Sequence, residues 1–248
     1  MASSGRKLLL WDIDGTLLFG DHGGERALLV SLRRVFGVEG SLGAVEIAGR
    51  TDRYITENLL RAHGIEPTAE AMHDFLEGYL AALPEEMPRG KPRLLPGIVQ
   101  ILETIAGRPD LAQGLLTGNL QRGARLKLEP FGVWHYFPFG AFADDSILRN
   151  ELGPHALRRA TEHHAAEFAA ERTYIIGDTP HDIDCAKAIG ARAIGVATGR
   201  FSVEQLAAHG ADLALPDLGD PAAFFAFIDA APADSGARPC HPIDDIRS

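Results

Sequence analysis

Two aspartates, Asp12 and Asp14, close a short apolar run in Lys7 to Leu17, KLLLWDIDGTL, and Gly15 and Thr16 follow at once. Side chains two apart on a strand point to the same face, so both carboxylates would converge at the tip of a buried strand, where Gly15 lets the backbone turn. Like charges so close need a cation, a shared proton or a strong set of donors. Further along, Leu115-Leu116-Thr117-Gly118-Asn119 ends an apolar run in a hydroxyl and in backbone N–H groups that can hold a phosphate oxygen. The run Ile175-Ile176-Gly177-Asp178-Thr179-Pro180-His181-Asp182 brings Asp178 and Asp182 to the start of a helix, on one face of it. Acidic groups at successive strand ends are where an open α/β sheet binds its ligand.

The elements that must hold these tips alternate as in a doubly wound parallel sheet, a Rossmann-like α/β fold. Strands are expected over Lys7 to Trp11, Gln113 to Leu116, Phe139 to Ala143, Thr173 to Ile176, Arg192 to Val196 and Asp212 to Leu215. The long interval after the first strand shows helical periodicity instead, over Glu25 to Phe36, Asp52 to Ala62 and Thr68 to Leu83, with no convincing strand. Residues 1–20 and 94–229 are therefore read as the α/β core and 21–93 as an inserted helical domain. The proline-rich stretch Pro84 to Pro96 reads as the return linker, and Gly97 to Ile105 as the core helix before the second strand. Periodicity is lost after Asp229, so residues 230–248 read as a loosely attached tail.

Composition narrows the function classes. A chain of 248 residues with 46% hydrophobic content can bury a full α/β core and carry a second small domain. A formal net charge of −10 argues against a nucleic-acid or membrane surface, which would want a basic face. The N-terminus MASSGRK lacks the apolar stretch of a signal peptide and no run approaches the length of a membrane span, so a cytoplasmic location is expected. Two cysteines, Cys185 and Cys240, suit a reducing compartment better than a disulfide framework.

In order and spacing the three motifs resemble the haloacid dehalogenase superfamily of phosphohydrolases, from about Lys7 to Leu218. The stretches LTGN, IGDTPHDI and AKAIGARAIGVATG look most like phosphoglycolate phosphatases and their relatives. The resemblance implies that the helical insert is a cap over the site and that Asp12 is a nucleophile forming an aspartyl-phosphate. Asp14 would protonate the leaving alcohol and then activate water. Mg²⁺ would be held by Asp12, the backbone carbonyl of Asp14 and Asp178, with Asp182 ligating through water or orienting a ligand. Thr117, Gly118 and Asn119, with Gly15 and Thr16, would hold the phosphoryl group of a small phosphorylated metabolite, the protein acting as a monomer or homodimer. A phosphotransferase or sugar phosphomutase is the alternative within the superfamily. A dehalogenase needs neither metal nor Asp14, and a non-enzymatic phospho-acceptor module needs no cap.

One part of the family pattern is absent. A lysine usually stands shortly before the last motif, but here SILRNELGPHALRRA places Glu151 in that register. Lys127, on the helix after Thr117, is the expected replacement because the region from Thr117 to Arg159 has no other lysine, with Arg149 next in line. In the insert, Arg50 or Arg53 could reach the substrate's distal group, although Thr51 more simply caps the next helix. His181 reads as an exposed loop residue and His163-His164 as surface, since adjacent helical residues point apart. Trp11 and Phe19 read as core and hinge packing.

Overall fold

The computed structural model describes residues 5–230. At its centre is β1 (Lys7–Trp11), whose parallel neighbours are β4 (Leu111–Leu116) and β6 (Thr173–Gly177). Outside them lie β5 (Gly140–Ala141) on one edge and β7 (Arg192–Val196) and β8 (Leu213–Leu215) on the other, giving the order β5-β4-β1-β6-β7-β8. Every pairing in this six-stranded sheet is parallel. The chain leaves β1 toward β4 and β5 and then returns to β6 on the opposite side. The carboxyl end of β1 is thus the topological switch point, where such sheets open a crevice.

The unbroken apolar run of β1 is explained by burial on both faces. Leu9 and Trp11 pack with α4 (Ile98–Ala106) and α9 (Ala222–Asp229), and Trp11 stacks on Phe224 with ring centroids 5.6 Å apart. Leu8 and Leu10 face Leu152 and Ala156 of α6 (Leu152–His164), Ile183 of α7 (Pro180–Ala188) and Leu206 of α8 (Val203–His209).

Three helices cover the carboxyl end of the sheet: α1 (Gly23–Phe36), α2 (Asp52–Ala62) and α3 (Ala69–Glu86). The Ser31 hydroxyl of α1 donates to the Phe75 carbonyl of α3 at 2.6 Å, and Phe36 stacks on Phe75 at 6.5 Å. This layer is called the cap below. It joins the core through an antiparallel ribbon, β2 (Leu18–Phe19) against β3 (Arg93–Leu94). The expectation of no strand in this interval is corrected by that ribbon, whose strands are too short to print a period. The linker expected from Pro84 is corrected as well, because α3 runs through Pro84 to Glu86. Proline forfeits one helical hydrogen bond. Here tertiary contacts override it: Glu86 is buried, Arg26 donates to its carbonyl at 2.9 Å, and Arg89 reaches its carboxylate at 2.7 Å.

The expected strand at Phe139 to Ala143 shortens to Gly140–Ala141, and that at Gln113 begins at Leu111. Among the described residues no helix is long and apolar enough to cross a membrane. Cys185 is a buried free thiol, while Cys240 and nearly all of the expected tail lie outside the described residues.

Candidate active site

The turn after β1 is built by Gly15, whose φ of +80° is open to glycine at little cost. It folds Leu18 back so that the Gly15 N–H donates to the Leu18 carbonyl at 2.9 Å. Asp12 and Asp14 are left on the wall of a cavity of about 340 Å³, enclosed by the loops after β1, β4, β6 and β7 below and by the cap above.

Four carboxylates from two strand tips meet two buried cations there. Arg149 comes from a single 3₁₀ turn (Arg149–Glu151) ahead of α6. It lies 3.0 Å from Asp12 and bonds Asp182 as well. Asp182 accepts in addition from the Thr179 N–H at 3.1 Å and hydroxyl at 2.8 Å, so its oxygens are occupied. Lys127, on α5 (Gln121–Leu128), lies 2.6 Å from Asp14, which also accepts from the Asn119 amide at 2.8 Å. Both expected cations are therefore in the site, each on a different carboxylate. Glu151, in the register of the missing lysine, lies outside it and accepts from Ser146 at 2.6 Å.

Electrostatics separate the acids. Burial pushes Asp12 up to about 6, only partly offset by Arg149, with Asp182 and Asp14 adding to the rise. Asp178 is raised well above the usual range by burial and then by Asp12 and Asp182. Asp14 is more open, and although desolvation within the cavity would lift it, the charge and hydrogen bond of Lys127 overcome that and hold Asp14 low.

Asp12, Asp178 and Asp182 each offer a carboxylate oxygen, all within 4.8 Å of one another. One oxygen of Asp178 is buried without a hydrogen-bond partner. An all-oxygen donor set with an unpaired buried carboxylate fits a hard divalent cation such as Mg²⁺.

The other expected residues are placed as follows. Gly15, Gly118, Asn119 and Arg50 line the cavity. Thr117 is fully buried behind that wall, accepting from the Asn119 amide at 2.9 Å. Thr16 is fully buried and does not line the cavity, and its hydroxyl has no hydrogen-bond partner. Thr51 does cap α2, accepting from the Tyr54 N–H at 3.1 Å. Arg50 is held by Glu46 at 2.6 Å and lies over the Tyr54 ring at 4.5 Å. The expectation of an exposed His181 is corrected, since its ring lies 3.1 Å from Glu46 with a quarter of the side chain exposed. The reading of His163 and His164 as surface residues that point apart is corrected for His164, which is part-buried, reaches Arg6 at 3.0 Å and has its ring 4.7 Å from that of His163; neither belongs to the acid cluster. Trp11 is core, and Phe19 lies in the ribbon and on the cavity wall.

Sequence reading missed three contributors. Asp52 of the cap is buried, accepts from the Leu120 N–H at 2.8 Å and is raised by burial to about 6. Tyr79 of α3 is buried on the same wall. The third is the loop after β7, where the Thr198 hydroxyl donates to the Gly15 carbonyl. A Cβ on Gly199 would stand 1.7 Å from an Asp178 oxygen. The signal for this loop was present, since Thr198-Gly199-Arg200 follows an apolar strand as the other motifs do. Gly199→Ala must displace the Asp178 carboxylate. It is expected to weaken divalent-metal binding about 10- to 100-fold, the size of other losses of ligand support, measured by calorimetry on the folded variant. Unchanged affinity would free Gly199 of that role.

Comparisons with known proteins show what the chain as a whole is similar to. The chain is 26% identical over 204 residues to the probable phosphatase IndB of Dickeya dadantii, covering 82% of this chain and 86% of that protein. It is 24% identical over 194 residues to a phosphoglycolate phosphatase of Pectobacterium atrosepticum, covering 77% and 80%. A hydrolase from Pseudomonas syringae shares the fold with a TM-score of 0.70 at 20% identity, over 91% of this chain and 100% of that one. The family model of haloacid dehalogenase-like hydrolases matches residues 9–187, which spans all three strand-tip motifs, and the chain belongs to that family.

Proposed function

We propose that the protein is a Mg²⁺-dependent phosphatase that hydrolyses a small phosphate monoester through an aspartyl-phosphate on Asp12. The observation that carries this reading is the pairing of charges across one cavity: Asp12 beside Arg149 and Asp178, and Asp14 on Lys127. An Asp12 oxygen attacks phosphorus as the bond to the ester oxygen breaks; Asp14, a carboxylate in the free site, takes up a proton as the anionic ester binds beside it and gives that proton to the departing alkoxide. Asp14, again a carboxylate and steadied by Lys127, then takes a proton from water as that water attacks phosphorus. Phosphate leaves and the Asp12 carboxylate is restored. Arg149 offers N–H donors to the charge that spreads over the phosphoryl oxygens. Asp12 and Asp178 would hold the divalent cation, with Asp182 orienting them, and when bound it supplies charge neutralisation to the phosphoryl group. The cap excludes bulk water from the first step.

The test is a Mg²⁺-dependent screen of phosphorylated metabolites and p-nitrophenyl phosphate, with Asp12→Asn alongside the wild type. Absence of metal-dependent release of phosphate from every ester would overturn the reading.

Metal binding is expected to depend on pH in a stated direction. In the metal-free site Asp12 titrates at about 6 and Asp178 is raised as well, so below that pH protons occupy the carboxylates the cation needs. Apparent affinity should fall about tenfold per pH unit on the acid side for each proton displaced, read by calorimetric titration without substrate. A flat profile between about pH 7.5 and about pH 5 would contradict this assignment of the cluster.

A further inference from the structure

Resting on the phosphatase reading, the outer half of the cavity points to what the ester carries beyond its phosphate. Lys127, Arg149, Arg50 and Arg200 line the cavity, and each has a carboxylate partner: Asp14 at 2.6 Å, Asp12 at 3.0 Å, Glu46 at 2.6 Å and Glu25 at 3.5 Å respectively. Glu25 also has the His22 ring at 3.0 Å. Beyond the motif loops, the cavity-lining Arg50 is paired with Glu46, which lies just outside the lining and also has the His181 ring at 3.1 Å, and Arg200 with Glu25, while Asp21 adds a further carboxylate to the wall, so neither arginine is offered unpaired. A second anion on the substrate would have to displace a glutamate from its arginine before it met an open cation. Hydroxyl groups face no such penalty, since they donate to the carboxylates and accept from the arginines with both ion pairs in place. Phe19, Leu28, Ile47 and Ile55 supply apolar wall for the C–H face of such a group. The volume, about 340 Å³, is at the small end of ligand pockets, which run to about 1,000 Å³, and suits one sugar-sized unit.

We propose that the substrate is the monophosphate of a small uncharged polyol or monosaccharide, and that Glu46 and Glu25 exclude esters carrying a second anion. Glu46 is the specificity-determining residue, because it occupies Arg50, the arginine of the insert whose backbone packs against Gly118 of a motif loop. A phosphotransferase that moves phosphoryl between two positions of one sugar must seat two phosphates, and this cavity is not charged for that.

The experiment compares kcat/KM for glycerol 3-phosphate and 3-phosphoglycerate, which share a carbon skeleton and differ by a carboxylate, on the full chain with Mg²⁺. Pentose and hexose monophosphates, 2-phosphoglycolate, fructose 1,6-bisphosphate and p-nitrophenyl phosphate complete the panel. The uncharged member of the matched pair is expected to be preferred about tenfold or more, and a sugar monophosphate to exceed 2-phosphoglycolate by a similar factor. Glu46→Gln releases Arg50 and should raise the ratio of kcat/KM for 2-phosphoglycolate over that for p-nitrophenyl phosphate about tenfold. Equal or better turnover of the carboxylated or bisphosphorylated esters by the wild type overturns the substrate class, while hydrolysis of p-nitrophenyl phosphate still upholds the phosphatase. No change in the ratio for Glu46→Gln overturns the role of Glu46. Failure on every ester, p-nitrophenyl phosphate included, overturns both readings.

Discussion

Asp12→Asn is expected to reduce turnover of p-nitrophenyl phosphate by about 10³-fold or more while the protein stays folded. The amide is nearly isosteric with the carboxylate but has no lone pair basic enough to open the phosphorus–oxygen bond, so the covalent route is lost outright. The fold should tolerate the change. Asp12 is 4% exposed and held up to about 6 by burial, which means its ionised form is strained in the metal-free protein. Removing that charge relieves repulsion with Asp14 and Asp182, and Arg149 keeps its bond to Asp182. The metal-free variant should therefore melt no lower than the wild type, and thermal unfolding beside steady-state kinetics separates lost chemistry from lost structure. The same substitution removes one metal ligand, so Mg²⁺ should raise the melting temperature of the variant less than that of the wild type. Turnover within about tenfold of the wild type would remove Asp12 from the nucleophile's place. Asp14→Asn offers an internal control on the two roles. Its loss, about 10²- to 10⁴-fold, should be larger on an alkyl phosphate than on p-nitrophenyl phosphate, whose leaving group needs less help from an acid.

The convergence of the residues proposed for those roles was legible in the sequence because they sit where local pattern and global fold coincide. β1 and β7 fall on the residues expected, and β6 extends the expected run by Gly177. Two-sided burial writes an apolar run into the chain, and the strand ends follow from it. Asp12, Asp14, Asp178 and Asp182 converge because each stands within a few residues of such an end. What was not legible depends on contacts between distant segments. The β2–β3 ribbon pairs residues 18–19 with 93–94, and two-residue strands leave no period to read. Helix α3 passes Pro84 because Arg26 and Arg89 fasten Glu86 behind it, a tertiary fact. Asp52 reads as an ordinary first-turn acid of α2 until the cap is folded onto the core, where it receives the Leu120 N–H. Arg50 could be read as a reach toward a distal anion or as a solvated arginine beside the Thr51 cap, and only the fold brings Glu46 against it. The lysine question had the same origin. Sequence register can show that Glu151 replaces the usual cation, but not that the 3₁₀ turn starting at Arg149 drives that guanidinium between Asp12 and Asp182.

Arg149→Ala is expected to lower kcat on p-nitrophenyl phosphate about 10²- to 10³-fold, and Lys127→Ala to cost less on the same substrate. Arg149 is the cation that touches Asp12, the proposed nucleophile, and can present planar N–H donors to phosphoryl oxygens, which a lysine's point charge does not replicate. Lys127 acts one carboxylate away, on the group that handles protons. Its signature is a pH profile. Lys127 holds Asp14 below the ordinary carboxylate range, so removing it lets the Asp14 pKa rise, and the limb of the rate profile that reports Asp14 should move to higher pH. Arg149→Ala should leave that limb nearly in place. Stability must be followed in parallel, since stripping the partner from the buried Asp12 and Asp182 is expected to destabilise the protein by about 3–5 kcal/mol. Arg149→Lys retains the charge, relieves most of that loss, and still forfeits the fork, so it should fold well and remain slow. If Lys127→Ala instead matches or exceeds Arg149→Ala in lost kcat while its pH limbs stay fixed, then Lys127 is the cation that steadies the phosphoryl group. Arg149 would then be left with the task its second contact already implies, holding Asp182 in place at the start of α7.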